Sequence, residues 1–151
     1  MDYEIRWLIR RDVKPAVACI EIESPAYWSE DELVLALRQR NQIGRVYCVR
    51  GAVVGFVVYR LSHRRYDVLN IGTHPAFRRC GIGSALIGFV ASKLSETRRH
   101  RIDCAVDESC VPAQLFFRSC GFRCNEIERD AVVGDQYLFQ FFHDATVTIS
   151  G

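Results

Sequence analysis

Apolar and polar residues alternate from Tyr3 to Ile9, the period-two pattern of a half-buried strand. Asp12 then stands where a side-chain cap would open a helix running to about Glu23. Pro15 is tolerated there because first-turn amides have no partner within a helix. Ser29, followed three residues later by Glu32, reads as a capping box before a helix ending near Asn41. Arg45 to Arg50 and Ala52 to Leu61 are β-rich runs joined tightly at Arg50-Gly51, which predicts an antiparallel hairpin. Tyr66 to Thr73 supplies a further strand, stopped by His74-Pro75. Beyond it the period changes, because Ile82, Leu86, Phe89, Val90 and Leu94 recur at helical spacing. Arg101 to Val106 is another short strand and Pro112 to Cys120 another helix, with Gly121 placed for a left-handed cap. Alternation returns from Phe122 to Glu128 and from Gln136 to Phe142. This order of elements predicts a mixed α+β sheet, and 151 residues without an internal repeat predict one domain over 1–151.

Composition narrows the function classes. The chain is 49% apolar and 25% charged, which is ordinary for a globular protein. A net charge of +2 is too mild for wholesale nucleic-acid binding, and the cluster Arg98, Arg99, His100, Arg101 reads as a solvated helix end. The N-terminus resembles neither a signal nor a transit peptide, and no run is long enough to span a membrane, so the expectation is a cytoplasmic protein without membrane partners. Seven cysteines, with no Cys-x-x-Cys pair, fit free thiols in a reducing compartment better than a disulfide frame or a metal site.

The candidate chemistry lies at HPAFRRCGIGSALIGFV, His74 to Val90, where a strand-to-helix loop becomes a helix. First-turn amides point outward and carry the positive end of the helix dipole. Gly81 and Gly83 lack the Cβ that would hold a phosphate away, and Arg78 and Arg79 add formal charge at the rim. The stretch therefore reads as a pyrophosphate cradle. A nucleotide P-loop would need Gly-Lys-Ser/Thr after four intervening residues, which is absent. A dinucleotide fingerprint would place a third glycine or alanine at Leu86; Asp103 lies about twenty residues on, as that fingerprint prefers, but the hairpin upstream disfavours it.

Arg78-Arg79-Cys80-Gly81-Ile82-Gly83 resembles the Gln/Arg-x-x-Gly-x-Gly/Ala signature of GNAT acetyltransferases, preceded by a similar strand and proline in Asn70 to Pro75. VDESCVPAQLFFRSCGF, Val106 to Phe122, resembles that family's Val-x-x-x-Asn-x-x-Ala-x-x-x-Tyr-x-x-x-Gly-Phe block without a gap. Tyr27-Trp28-Ser29-Glu30 and the Glu108-Ser109-x-x-x-Ala113 spacing are similar to ribosomal-protein-alanine N-acetyltransferases of the RimI type. The resemblance implies a mostly antiparallel seven-stranded sheet whose fourth and fifth strands splay apart, flanked by about four helices. It also implies acetyl-CoA as donor. Main-chain groups of Ile71, Gly72 and Thr73 would line its pantetheine and acetyl group, with the pantetheine inserted like an extra strand. The amides from Arg79 through Cys80, Gly81, Ile82 and Gly83 to Ser84 would hold pyrophosphate, and Cys110, Ala113 and Phe117 would complete the cofactor wall. Glu21, Glu23, Tyr27 and Trp28 fall where the first two helices wall the acceptor groove, and carboxylates there would attract a cationic peptide N-terminus.

Three positions depart from the family pattern. Its Glu on the fifth strand is Ala105 here, its proton-donating Tyr is Phe117, and Cys110 replaces the usual Asn. A positioned acid or base contributes ~10²–10⁴-fold, so both losses favour an acceptor needing little deprotonation. A protein α-amine, with pKa near ~8, is such an acceptor, whereas a lysine near ~10.4 is not. Asp107, which shares strand parity with Ala105, and Tyr137 are the replacement candidates. The expected activity is acetylation of an amine, foremost a protein N-terminus, a ribosomal protein's among the candidates, by a monomer or homodimer. Small-molecule amine acetylation and a non-catalytic CoA-binding domain are the alternatives.

Overall fold

The computed structural model describes residues 2–132 and 134–144; Met1 and 145–151, the ends of the expected domain, lie outside them, as does Val133. Seven strands form one sheet: β1 (Tyr3–Trp7), β2 (Gln42–Val49), β3 (Ala52–Ser62), β4 (Arg65–Thr73), β5 (Arg101–Asp107), β6 (Arg123–Glu128) and β7 (Gln136–Phe142). Their spatial order is β1-β2-β3-β4-β5-β7-β6. Every neighbouring pair is antiparallel except β4 and β5. Among the described residues four α-helices accompany them: α1 (Val13–Val17), α2 (Glu30–Leu37), α3 (Ile82–Ala91) and α4 (Val111–Ser119). Seven strands in a mixed sheet with four helices are the architecture that the resemblance implies.

The helices divide between the faces. Ile82, Leu86 and Val90 of α3 and Phe117 of α4 pack with Val57, Tyr59, Ile102 and Phe139. On the other face Val13, Ala16 and Val17 of α1 and Leu33 of α2 pack with Val46, Phe56 and Val58. Each fully buried aliphatic or aromatic side chain here contributes about 1.5–3 kcal/mol.

The first helix is shorter than its pattern predicts. It stops at Val17, and the amides of Cys19 and Ile20 bond three residues back to Ala16 and Val17, tightening the chain into turns. Those turns lie on β4, since a Cβ on Gly72 would come within 2.8 Å of the Cys19 carbonyl oxygen. Tertiary contact with the sheet thus replaces the last turns expected towards Glu23. Likewise α3 ends at Ala91, so the basic run Arg98 to Arg101 sits in the connection to β5 and its first residue rather than at a helix end. Ser29 and Glu32 form the capping box as expected, each side chain reaching the other's backbone N–H at 3.2 Å.

Asp12 does not cap α1. Its carboxylate accepts two hydrogen bonds from Arg6, at 2.7 and 3.0 Å, and one from the Ile9 amide at 2.9 Å. Burial opposes its ionisation, but the Arg6 and Ile9 hydrogen bonds prevail and hold it below the usual carboxylate range. The pair therefore stabilises the fold above the unfolded-state value near ~3.9, and loses that contribution as pH falls through the lower folded-state value. Asp12→Ala is expected to cost about 2–3 kcal/mol at pH 7, discounted from a fully buried pair because Arg6 is partly exposed. Urea midpoints for both proteins should converge as pH falls through the lowered folded-state value of Asp12. Equal midpoints at pH 7 would contradict the assignment.

Candidate functional site

The ladder between β4 and β5 covers three residue pairs only, Arg65 with Arg101, Tyr66 with Ile102 and Asp67 with Asp103. Beyond Asp67 the two strands diverge, leaving the β4 edge towards β5 without a partner strand. A bulge in β4 shifts its parity on the way: Val58 pairs with Asn70 but Tyr59 with Val68, so Leu69 is the extra residue. Tyr66 and Val68 face α3 before it, and Ile71 does so after it. Gly72 turns to the opposite face, against Phe56 and the α1 turns. The expected divergence at Ile71 to Thr73 is present and is set by this register.

The divergence opens a cleft of about 800 Å³. Its β4 wall carries Asn70, Ile71, Gly72 and Thr73; its floor at the α3 N-terminus carries Arg78, Arg79, Gly81, Ile82, Gly83 and Ser84. The α4 wall supplies Cys110, Ala113, Phe116 and Phe117. Thus residues as far apart in sequence as Cys19 and Phe117 line one cavity. Of the expected cofactor residues Cys80 alone lies outside the lining, exposed on the loop.

The cradle is built from backbone conformation. Gly81 is the α3 N-cap at φ 78°, and no side chain caps the helix, so the first-turn amides are not satisfied from within the chain by a cap. Arg79 also adopts positive φ, 64°, which folds the loop back over the helix start. Gly83 has a different reason from the one expected: its Cβ would meet the Phe116 ring at 2.8 Å, so its absence serves the α3–α4 packing. Arg78 pairs with Glu21 at 2.7 Å, linking the cradle to the α1–α2 connection. The uncapped helix start, the rim arginines and the open strand edge fit the pyrophosphate and pantetheine of a CoA thioester.

Residues 42–124 match the family model for the acetyltransferase (GNAT) domain. The chain belongs to the GNAT acetyltransferase family. It is an acyl-CoA-dependent N-acetyltransferase. Solved structures share the fold at low identity. The Escherichia coli ribosomal-protein-S18-alanine N-acetyltransferase has a TM-score of 0.78 and 19% identity over 93% of this chain and 94% of its own. Thermoplasma volcanium Ard1 has a TM-score of 0.81 and 22% identity over 95% and 99%. Arabidopsis thaliana NAA60 in complex with acetyl-CoA has a TM-score of 0.78 and 16% identity over 93% and 98%. No curated protein sequence matches the chain at a significant level.

The acid/base candidates are placed less favourably than the GNAT cradle. Asp107 lies outside the cleft lining and accepts from the Ser109 amide at 2.8 Å, the Ser109 hydroxyl at 2.5 Å and Gln136 at 3.3 Å. The Ser109 bonds hold its carboxyl below the usual range, which makes it a weak base. Tyr137 pairs with Val106 across β5–β7 and packs against the α3–α4 core, also outside the lining. Ala105 is exposed on the other face of β5. Phe117 is buried among Phe116, Phe122 and Phe139. On the acceptor side Glu23 lines the cleft, whereas Tyr27 and Trp28 pack on the α1–α2 core and do not. His74 accepts the Ala76 amide at Nδ1, 3.1 Å, and shapes the turn after β4.

One positioning residue went unassigned in the sequence reading. Asn70, 4% exposed, donates from its side-chain amide to the Ala26 carbonyl at 2.7 Å and fastens the α1–α2 connection over β4. A polar residue within an otherwise apolar strand, beside the expected acetyl-binding backbone, was its only signal.

Proposed function

We propose that the chain transfers acetyl from acetyl-CoA to a protein N-terminal α-amine, acting as a single-domain cytoplasmic enzyme of the ribosomal-protein-alanine type. The observation that carries this reading is the chemistry of the cleft: among the described residues its carboxylates are Glu21, already paired with Arg78, and Glu23. Neither Asp107 nor Tyr137 reaches it. A site so furnished suits an acceptor that is substantially neutral unaided, and an α-amine near ~8 is one. One neighbour in fold, the Escherichia coli ribosomal-protein-S18-alanine N-acetyltransferase, agrees with a protein acceptor.

Acetyl-CoA supplies the activated thioester. The α3 amides with Arg78 and Arg79 hold the pyrophosphate, and the β4 edge at Ile71 to Thr73 binds the pantetheine as a strand would. Cys110, Ala113 and Phe117 close the far wall and exclude water. Main-chain groups near Thr73 polarise the carbonyl, and Glu23 attracts the cationic form of the peptide terminus. The departing thiolate, near ~8.5 as for cysteine, leaves without an obligatory acid, which accommodates phenylalanine at position 117.

The test is CoA release with two matched peptides, one with a free N-terminal Ala and one N-terminally blocked with an internal Lys. Release with the first alone is the expected result. Release with the Lys peptide at a comparable rate, or with neither peptide despite acetyl-CoA binding, would overturn the N-terminal reading.

A further inference from the structure

A second cleft, of about 290 Å³, lies at the opposite end of α3 from the cradle, roughly 15 Å along the helix axis. Arg45, Lys93, Arg98 and Arg99 line it together with Trp7, Tyr59 and Tyr66, and no carboxylate does. Arg45 is 9% exposed and makes no ion pair among the described residues. Its guanidinium lies 3.5 Å from the Trp7 ring centroid and 4.9 Å from that of Phe89. Its Nε is buried without a hydrogen-bond partner, and the buried Tyr59 hydroxyl lies beside the guanidinium and interacts with it.

Cation–π contact offsets part of the cost of desolvating a guanidinium, but a buried charge without a counter-ion remains unfavourable and the Nε donor is unmet. The buried carboxylates of β4 and β5 do not help. Asp67 and Asp103 follow the core-facing Tyr66 and Ile102 in their strands and so point to the other face, where they pair with Arg60, Arg65 and Arg101. Four cations lining one cleft, of which Arg99 also bonds the Ser62 carbonyl at 2.9 Å, a buried Arg45 Nε without a partner and aromatic walls specify the missing partner.

We propose that this cleft binds a small oxyanion on a flat apolar body, a phosphate monoester or an aromatic carboxylate, with Arg45 as its principal partner. The planar guanidinium fork matches either oxyanion, the rim of Lys93, Arg98 and Arg99 favours the dianion, and Trp7 and Tyr66 flank the body. The volume suits roughly ten heavy atoms, below the usual range for drug-sized ligands. Trp7, 55% exposed, covers the guanidinium from the solvent side and would move on binding.

The proposal is independent of the acceptor reading. Its test is calorimetric titration of the full chain with phenyl phosphate, inorganic phosphate and benzoate at constant ionic strength, in a Gly81→Asp background whose cradle repels anions. Phenyl phosphate is expected to bind one to one with a sub-millimolar Kd. Arg45→Met should raise that Kd by at least tenfold, and Lys93→Ser, a surface change that spares the fold, by about threefold. Tighter binding of benzoate than of phenyl phosphate, with the same two losses, assigns the site to carboxylates. Should Arg45→Met fail to fold, the pair Lys93→Ser and Arg98→Ser decides. The absence of binding by all three probes, or binding that these variants leave unchanged, overturns the site.

Discussion

Gly81→Asp is expected to raise the Kd for acetyl-CoA by about 10³-fold while leaving the protein folded. Gly81 holds φ 78° as the α3 N-cap, and a Cβ there would meet nothing within 4 Å, so the substitution introduces strain without a clash. Aspartate tolerates the left-handed region better than most residues, and the strain costs about 1 kcal/mol. The carboxylate then acts on the ligand in two ways. It accepts hydrogen bonds from the α3 amides that the pyrophosphate would use, and it places like charge about 4 Å from it, worth about 4 kcal/mol at a near-surface effective dielectric. Gly81→Ala separates the contributions, since it carries the strain without the charge and should weaken binding far less. Calorimetry with acetyl-CoA, beside thermal melts of each variant, reads both. Binding within threefold of the parent by a folded Gly81→Asp protein would remove the cradle from the reaction.

Turnover with an N-terminal Ala peptide should climb about tenfold per pH unit and level off near pH ~8, where the acceptor's own amine has lost its proton. The reason is the same one that selects the acceptor. Asp107 is held below the carboxylate range by Ser109 and remains ionised throughout this window, so it contributes no inflection. A lysine acceptor, near ~10.4, should react roughly 10²-fold more slowly at pH 7, since so little of it is neutral. A profile that already levels by pH 6.5 would reveal a group of the chain acting as base, and the base-free account would fall.

Much of this follows from local pattern. The strand periodicity, the Ser29–Glu32 box and the glycine-rich helix start at Gly81 are each specified within a few residues, and a helix N-terminus that binds anions does so through its own amides. The placement of side chains from different segments is another matter. Asp107 and Tyr137 sit near the right strands, but a hydrogen bond from Ser109 withdraws one and the β5–β7 register turns the other into the core. Tyr27 and Trp28 lie in the α1–α2 connection and pack on the α1–α2 core, outside the lining of the cleft. Asp12 has the position of a cap and becomes the partner of Arg6 instead.

By itself the sequence determined the order of elements, the glycine-rich, uncapped start of α3 and side chains at Ala105 and Phe117 that carry no titratable group, since each is a property of a short stretch. Only the tertiary structure decided that α1 ends at Val17, that Asn70 fastens the loop over β4, and that Arg45 lies buried with its Nε unpartnered between Trp7 and Phe89. Those outcomes depend on which distant segment arrives to fill or satisfy a surface, and burial and hydrogen bonding across the sheet, unlike helix capping or strand alternation, leave no trace in neighbouring residues.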